Sequence, residues 1–222
     1  MATASHHLRT PTPERQMAAL AVRVQMCRRC PLGQNRTVAV PGEGPVPCDV
    51  MLVGEGPGAA EDKTGRPFVG RAGQLLRRLL REEARLDPEA VYITNAVKCR
   101  SCIQKDGKTV DTPPPLSCVE ACSTWLRHQI ELVRPKAIIV VGAVACRHLL
   151  GLPIGEAHGT AVRLHGQPAC YLPIYHPAAA LRDPARMRDF VHGMKGIGLW
   201  LDLNPDVRRY AHQYTAREVK CP

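Results

Sequence analysis

Four short apolar runs each end in a polar or glycine-rich segment, and this punctuation restricts the fold more than any other feature of the chain. Asp49-Val-Met-Leu-Val53 runs into the turn Gly54–Gly58, Val91-Tyr-Ile-Thr94 into Asn95, and Ala137-Ile-Ile-Val-Val141 into Gly142. Cys170-Tyr-Leu-Pro-Ile-Tyr175 is followed at once by His176-Pro177. Runs of this length, rich in Val and Ile and bounded by Gly, Pro or Asn, read as buried strands. Between them the apolar residues recur at helical spacing. Leu75, Leu76, Leu79, Leu80 and Leu86 form one such set, residues 119–133 a second, 142–150 a third, and a last helix is expected after Pro184. Strands alternating with helices predict an α/β fold with a mainly parallel sheet. The ligand crevice of such a sheet lies past the carboxyl ends of its strands. Gly54–Gly58, Asn95–Cys99 and His176–Arg182 are therefore expected to meet.

Around this framework, residues 1–12 read as a flexible N-terminal tail, 13–203 as a single domain and 204–222 as a C-terminal extension. Thr12-Pro13 has the form of a helix start, with Thr as cap and Pro in the first turn. Residues 31–47, with four Pro and three Gly, read as loop. So do the polar stretch 59–70 and the segment 99–118, which carries three consecutive prolines. A chain of 222 residues, 45% hydrophobic, suits one core that needs no cross-links. No apolar run is long enough for a membrane span, and the first thirty residues lack a signal pattern, so a cytoplasmic, nucleoid-associated location is the expectation. The formal charge of +10 favours an anionic partner, with nucleic acid first and an acidic membrane surface second.

Ten cysteines in a chain without an export signal point to a metal or cluster rather than to disulfides. The Cys27-x-x-Cys30 spacing lets two thiolates reach one centre, and Cys99/Cys102 and Cys118/Cys122 are further close pairs. Cys48, Cys146, Cys170 and Cys221 have no near partner and read as small buried hydrophobes. Four thiolates suit either an iron–sulfur cluster or zinc, and spacing does not choose between them. The glycine turn is not a phosphate loop, because no Gly-Lys-Ser/Thr closes it, and its spacing is not that of a dinucleotide fingerprint.

The longer run 54–75, GEGPGAAEDKTGRPFVGRAGQL, resembles the family 4 uracil-DNA glycosylases. The resemblance extends to VYITNAVKC (91–99), to HPAAALRDP (176–184), and to the CxxC segment leading through Arg36-Thr37 to Pro41-Gly-Glu-Gly44, so that it spans about 27–185. It implies a three-layer α/β/α fold on a mainly parallel four-stranded sheet. It also implies hydrolysis of the N-glycosidic bond of deoxyuridine in single- and double-stranded DNA by a monomer, with a sliding clamp as a further partner. The base would be extruded into a pocket. Gly54 and Gly56 would let backbone approach it, and Phe68, one of two Phe in the chain, would stack on it. The Asn95 amide would accept from uracil N3–H and donate to O4, a pattern that cytosine reverses. His176 would donate to O2 as charge builds on the leaving base. Glu55 is the first candidate for a catalytic carboxylate, orienting water or stabilising the cationic sugar, with Glu61 and Asp62 second. In other uracil glycosylases an Asp stands where this chain has Gly56. Leu181 and Arg182 resemble a tip that wedges into the duplex and holds phosphate, and Arg66, Arg71 and Lys98 are expected to face the DNA backbone.

The same resemblance implies a 4Fe–4S cluster on Cys27, Cys30, Cys99 and Cys122, tying the N-terminal helix and the 99–122 loop to the sheet. That loop departs from the family's short form. It is longer and contains Cys102 and Cys118, either of which could replace Cys99 or Cys122 as a ligand or stay a free thiol. X-type relatives carry a long basic loop here with a His that bonds covalently to DNA. Residues 100–121 hold no His, so turnover is expected rather than a lasting adduct. Two other readings remain: a glycosylase for another deaminated or 5-substituted base, and an inert iron–sulfur DNA-binding protein.

Overall fold

The computed structural model describes residues 10–207. Helix α1 (Pro13–Gln25) starts as its sequence predicts: Thr12 is the cap, its Oγ1 accepting from Arg15 N at 3.5 Å, and Pro13 opens the first turn. A short α2 (Leu32–Asn35) interrupts the expected 31–47 loop. Strand β1 (Val50–Gly54) leads to α3 (Ala59–Thr64), inside the stretch read as loop, and then to α4 (Arg71–Glu82). After β2 (Tyr92–Asn95) the chain forms β3 (Cys102–Lys105) and β4 (Lys108–Asp111), followed by α5 (Leu116–Val133). Strand β5 (Ala137–Val141), α6 (Ala143–Leu150), α7 (Ile154–Ala157), β6 (Val162–Arg163), β7 (Cys170–Ile174), α8 (Pro177–Ala180) and α9 (Pro184–Leu203) complete the order.

The central sheet has the order β2-β1-β5-β7-β6. The first four strands are mutually parallel, and the fifth, β6, is a two-residue antiparallel edge. The expected four-stranded sheet is therefore the parallel part of a five-stranded one. Alternation along the strands divides the core into two layers. Val50, Leu52, Ile93 and Ile139 face α4 and α9, packing with Leu76, Leu80, Phe190 and Met194. Met51, Val53, Ile138 and Val140 face α1 and α5, packing with Leu20, Val24, Trp125 and Leu126. Val207, just beyond α9, is buried in the first layer, so the C-terminal extension begins within the core. Among the described residues, no helix is long and apolar enough to cross a membrane.

The largest departure from the sequence reading is at 99–118. The expected loop holds an antiparallel β3–β4 hairpin with Ile103 opposite Val110. Its two-residue turn, Asp106-Gly107, has φ of 51° and 72°, the left-handed geometry that short hairpins need. The hairpin escapes a hydrophobicity reading because it has no buried face: seven of its eight strand residues are exposed and Cys102 is half-buried.

Helix α5 ends on Arg134, an exposed residue held at φ 54° in the left-handed region that glycine usually occupies. Arg134→Gly should relieve that strain. It is expected to raise the unfolding free energy by about 0.5–1 kcal/mol after the greater freedom of the unfolded chain is subtracted, seen as a rise of ~2 °C in thermal melting.

Candidate active site and metal centre

The parallel register sets Gly54 of β1 directly beside Asn95 of β2. The ladder continues past both strand ends, with Ala96 N donating to Gly54 O at 2.8 Å and Val97 N to Glu55 O at 3.1 Å. A Cβ at position 54 would lie 2.4 Å from Asn95 Oδ1 and 2.4 Å from Phe68 Cζ. Only glycine lets the amide and the ring close on this strand end. A Cβ at Gly56 would lie 2.7 Å from Val97 Cγ2, so the wall of the pocket occupies the space a larger residue would need.

Phe68 is buried at φ 52°, a costly conformation for an aromatic residue. Its backbone is held from three sides. Gly73 of α4 lets the helix approach, since a Cβ there would sit 2.1 Å from the Phe68 carbonyl carbon. Arg77 donates from Nε to Phe68 O at 3.1 Å and from Nη2 to Pro67 O at 3.1 Å. Glu61 Oε1 accepts from Val69 N and Gly70 N, each at 2.8 Å, and Oε2 from Gly58 N at 3.2 Å. Glu61, a second candidate for a catalytic carboxylate, lines the cavity with both oxygens accepting from backbone N–H groups of the loop that carries Phe68. Asp62 is also committed, accepting from Thr37 N at 3.0 Å and Thr37 Oγ1 at 2.8 Å.

His176 stands at the carboxyl end of β7, with its ring centroid 6.3 Å from that of Phe68. Gly142, at φ 91°, makes room for it; a Cβ there would meet His176 Cβ at 3.1 Å. His176 caps α8, and its Nδ1 accepts from Ala178 N at 3.2 Å. A ring nitrogen that accepts carries no proton, so Nε2 holds the N–H of the neutral ring. Burial, aided by the Arg182 charge and opposed by Glu61, pushes its pKa down to about 4. Glu55, half-buried in the wall of the same pocket, is held above the ordinary Glu value by burial. Asn95 is almost wholly buried, and its Oδ1 has no hydrogen-bond partner. These groups line one cavity of about 580 Å³.

Arg71 and Arg182 are exposed and line the cavity, and Leu181 beside Arg182 is exposed as well. Arg66 is exposed but carries a two-point ion pair to Glu43, at 2.8 and 3.1 Å. Lys98 corrects the sequence reading. It is 1% exposed and cannot face a DNA backbone; its Nζ donates to Thr94 Oγ1 at 2.8 Å and to Asn95 O at 2.5 Å. Burial pushes its pKa down to about 8, against the pull of the Cys122 and Cys99 sulfurs.

Behind Lys98 lies a second cavity, lined by Cys27, Cys30, Cys99 and Cys122 with Arg29, Arg36 and Trp125. Arg36 Nη1 donates to Cys99 Sγ at 3.0 Å and to Cys27 O at 2.8 Å, and Trp125 Nε1 to Cys27 Sγ at 3.4 Å. Burial pushes Cys99 up to about 11 and raises Cys122 too, so these sulfurs are thiolates at neutral pH only with a cation on them. Cys102 lies on the hairpin opposite Asp111 and does not line this cavity. Cys118 is buried and does not line this cavity. Among the described residues, no three His, Cys, Asp or Glu side chains converge as ligands of a single ion. Cys48, Cys146 and Cys170 are buried as expected, and Cys221 lies outside the described residues.

The profile of the uracil DNA glycosylase superfamily matches residues 41–194, a span holding Gly54, Phe68, Asn95 and His176. The chain belongs to the uracil-DNA glycosylase superfamily. It is 41% identical over 178 residues to a type-4 uracil-DNA glycosylase of Thermotoga maritima, covering 78% of this chain and 86% of that one. It is 39% identical over 167 residues to a type-4 enzyme of Sulfurisphaera tokodaii (71% and 72%) and 41% over 177 residues to one of Pyrobaculum aerophilum (75% and 85%). The family resemblance read from the motifs is borne out.

For a member of this superfamily, the residues that sequence reasoning missed are the ones that hold the loop. Glu43 bridges to Ile93 of β2 by two backbone bonds and pairs with Arg77 at 2.6 Å. Its neighbours Gly42 and Gly44 sit at φ 126° and 132°, which accounts for the Pro-Gly-Glu-Gly motif. Val97, Pro113 and Pro114 complete the cavity wall. If Glu61 is a structural anchor, Glu61→Ala should lower the unfolding free energy by about 1–3 kcal/mol, since it strands three half-buried N–H groups. Glu61→Gln, which keeps an accepting oxygen, should cost about 1 kcal/mol. Equal melting temperatures for the two variants would contradict the role.

Proposed function

We propose that this protein is a type-4 uracil-DNA glycosylase that cleaves the N-glycosidic bond of deoxyuridine in DNA. The carrying observation is the unpartnered Asn95 Oδ1 in one cavity with the Phe68 ring and a neutral His176. A buried acceptor without a donor costs about 1–3 kcal/mol, which a ligand N–H would recover. Uracil N3–H supplies that donor, and its O4 accepts from Asn95 Nδ2. Cytosine has an acceptor at N3 and a donor at C4, so it leaves both amide groups unmatched.

With the base stacked on Phe68, the C1′–N1 bond breaks and its electron pair moves onto the uracil ring, with charge growing at O2. His176 Nε2–H donates to that oxygen. A neutral donor with a depressed pKa keeps its proton and stabilises the anion by a hydrogen bond. The Glu55 carboxylate supplies negative charge near the electron-poor sugar. Water then adds to C1′ and gives up a proton to solvent, leaving an abasic site, and the departed uracil anion takes a proton from solvent. Gly56 offers no second carboxylate to activate that water, so departure of the base carries most of the catalysis.

The donor set at the second cavity fits a 4Fe–4S cluster. Four cysteines line one cavity, and Arg36 and Lys98 supply positive charge beside them. When bound, the cluster supplies a cross-link among the segment after α1, the end of β2 and helix α5. On this reading the protein acts as a monomer on uracil in single- and double-stranded DNA.

An oligonucleotide carrying one uracil should shorten on a denaturing gel only after alkali, with no retarded band. An untreated but retarded band would contradict turnover, and cleavage only at another base would move the substrate assignment. His176→Ala should lower kcat by roughly 10²–10³ with little change in KM, the loss typical of one oxyanion donor.

The pH profile follows from two opposite shifts. Glu55 acts ionised and has a raised pKa, so kcat/KM should fall as pH drops through a value above the ordinary Glu 4.5. His176, with a pKa of about 4, stays neutral throughout that range and adds no limb near 6.5. Glu55→Gln should flatten the acid limb at a low residual rate. A limb near 6.5 that survives in Glu55→Gln and vanishes in His176→Gln would overturn the assignment.

A further inference from the structure

The β3–β4 hairpin forms a two-stranded sheet of its own, and neither strand joins the central sheet. Its base belongs to the pocket rim: Ser101, Asp111, Thr112 and Pro113 line the cavity, and Asp111 Oδ2 lies 3.6 Å from where a Cβ on Gly58 would stand. Arg100 Nε to Asp111 Oδ1 at 2.6 Å and Thr112 N to Ser101 O at 2.9 Å clamp that base.

The register then decides what each face presents. Ile103 pairs with Val110 and Lys105 with Lys108. Residues two apart on a strand share a face, so these four side chains lie together. The reverse face carries Cys102, Gln104, Thr109 and Asp111, with Gln104 Nε2 donating to Thr109 Oγ1 at 2.9 Å. The first face is a poor surface for water. Ile103 is 51% and Val110 42% exposed, in a hairpin that has no helix or third strand to stabilise it. Two lysines directly opposite each other repel. One carboxylate, Asp106 in the turn, stands against these two ammonium groups. A polyanion with apolar sugar surface between its charges would relieve both defects.

The geometry points to the β3–β4 hairpin as a second DNA-binding element, a ribbon that docks on the duplex flanking the extruded nucleotide. Lys105 and Lys108 meet phosphates, and Ile103 and Val110 pack on the deoxyribose edge. This rests on the reading of the cavity as a pocket for a base extruded from DNA. The hairpin rises from the rim of that cavity, the chain carries a charge of +10, and a two-stranded ribbon is narrow enough to enter a DNA groove.

The test is fluorescence-anisotropy binding of full-length protein to a labelled duplex with a non-cleavable abasic analogue, titrated between about 50 and 200 mM salt. Each phosphate contact contributes roughly 0.9 to the log–log salt slope. Lys105→Ala/Lys108→Ala should therefore bind more weakly, by about tenfold at low salt, with a slope smaller by ~2. Ile103→Ser/Val110→Ser should weaken binding by about three- to tenfold and leave the slope as in wild type. All four positions are at the surface, and thermal melting of both variants should match the wild type. Both variants binding within about twofold of wild type, with the same slope, would overturn the proposal. So would a wild-type dimer in sedimentation that Ile103→Ser/Val110→Ser converts to monomer without loss of DNA binding, because the face would then serve a second copy. Uracil excision is measured on the same wild-type preparation. Its absence would count against the glycosylase reading, while the binding ratios still judge the hairpin.

Discussion

The pocket depends on a side chain that is absent. Because β1 and β2 run parallel in register, Gly54 and Asn95 are neighbours, and any Cβ at 54 would occupy the space of both the Asn95 amide and the Phe68 ring. That single steric allowance brings the Asn95 amide and the Phe68 ring to one strand end. The same device recurs at Gly142, which admits His176, and at Gly73, which admits the Phe68 backbone. The site is thus a set of side chains brought to one place by close backbone approach, where one extra carbon would separate them.

Close approach alone would not hold Phe68 at positive φ. The loop is over-determined by ionic groups. Glu61 gathers three N–H groups of the 58–70 segment, and Arg77, balanced by Glu43, grips two carbonyls. Buried charges are tolerated when fully hydrogen-bonded, and here they stiffen the loop that carries Phe68. Asp62 extends the connection. It holds Thr37, next to Arg36, and Arg36 reaches Cys99 and Cys27 in the cysteine cavity. Lys98 closes the loop from the other side, touching the strand end that carries Asn95 while its charge interacts with the Cys99 and Cys122 sulfurs. The cysteine cavity is thus linked through Arg36, Asp62 and Lys98 to the segments that carry Phe68 and Asn95.

Much of this was legible in the sequence because the signals are local. The strand runs, the cap at Thr12-Pro13, the last helix after Pro184 and the three strand-end segments each follow from residues within a few positions of one another. Lys98 was misread because local pattern does not report burial. A lysine in a polar motif looks solvated; its partners Thr94 Oγ1 and Asn95 O are near in the chain, but the burial that turns it inward is set by packing that the local pattern does not show. The hairpin was missed because its faces alternate without burial, which removes the hydrophobic contrast that marks a strand.

The sequence by itself determined the four buried strands in chain order, the main helices between them and the glycines at the strand ends, since these follow from local pattern and short-range sterics, while the motif resemblance pointed to Phe68, Asn95 and His176. Only the tertiary structure decided the proton position on His176, the anchoring roles of Glu61, Arg77 and Glu43, the burial of Lys98 and the shape of the 100–112 segment. Each of those depends on which distant backbone group or cavity wall comes within about 3 Å, the reach of a hydrogen bond, and that is set by packing.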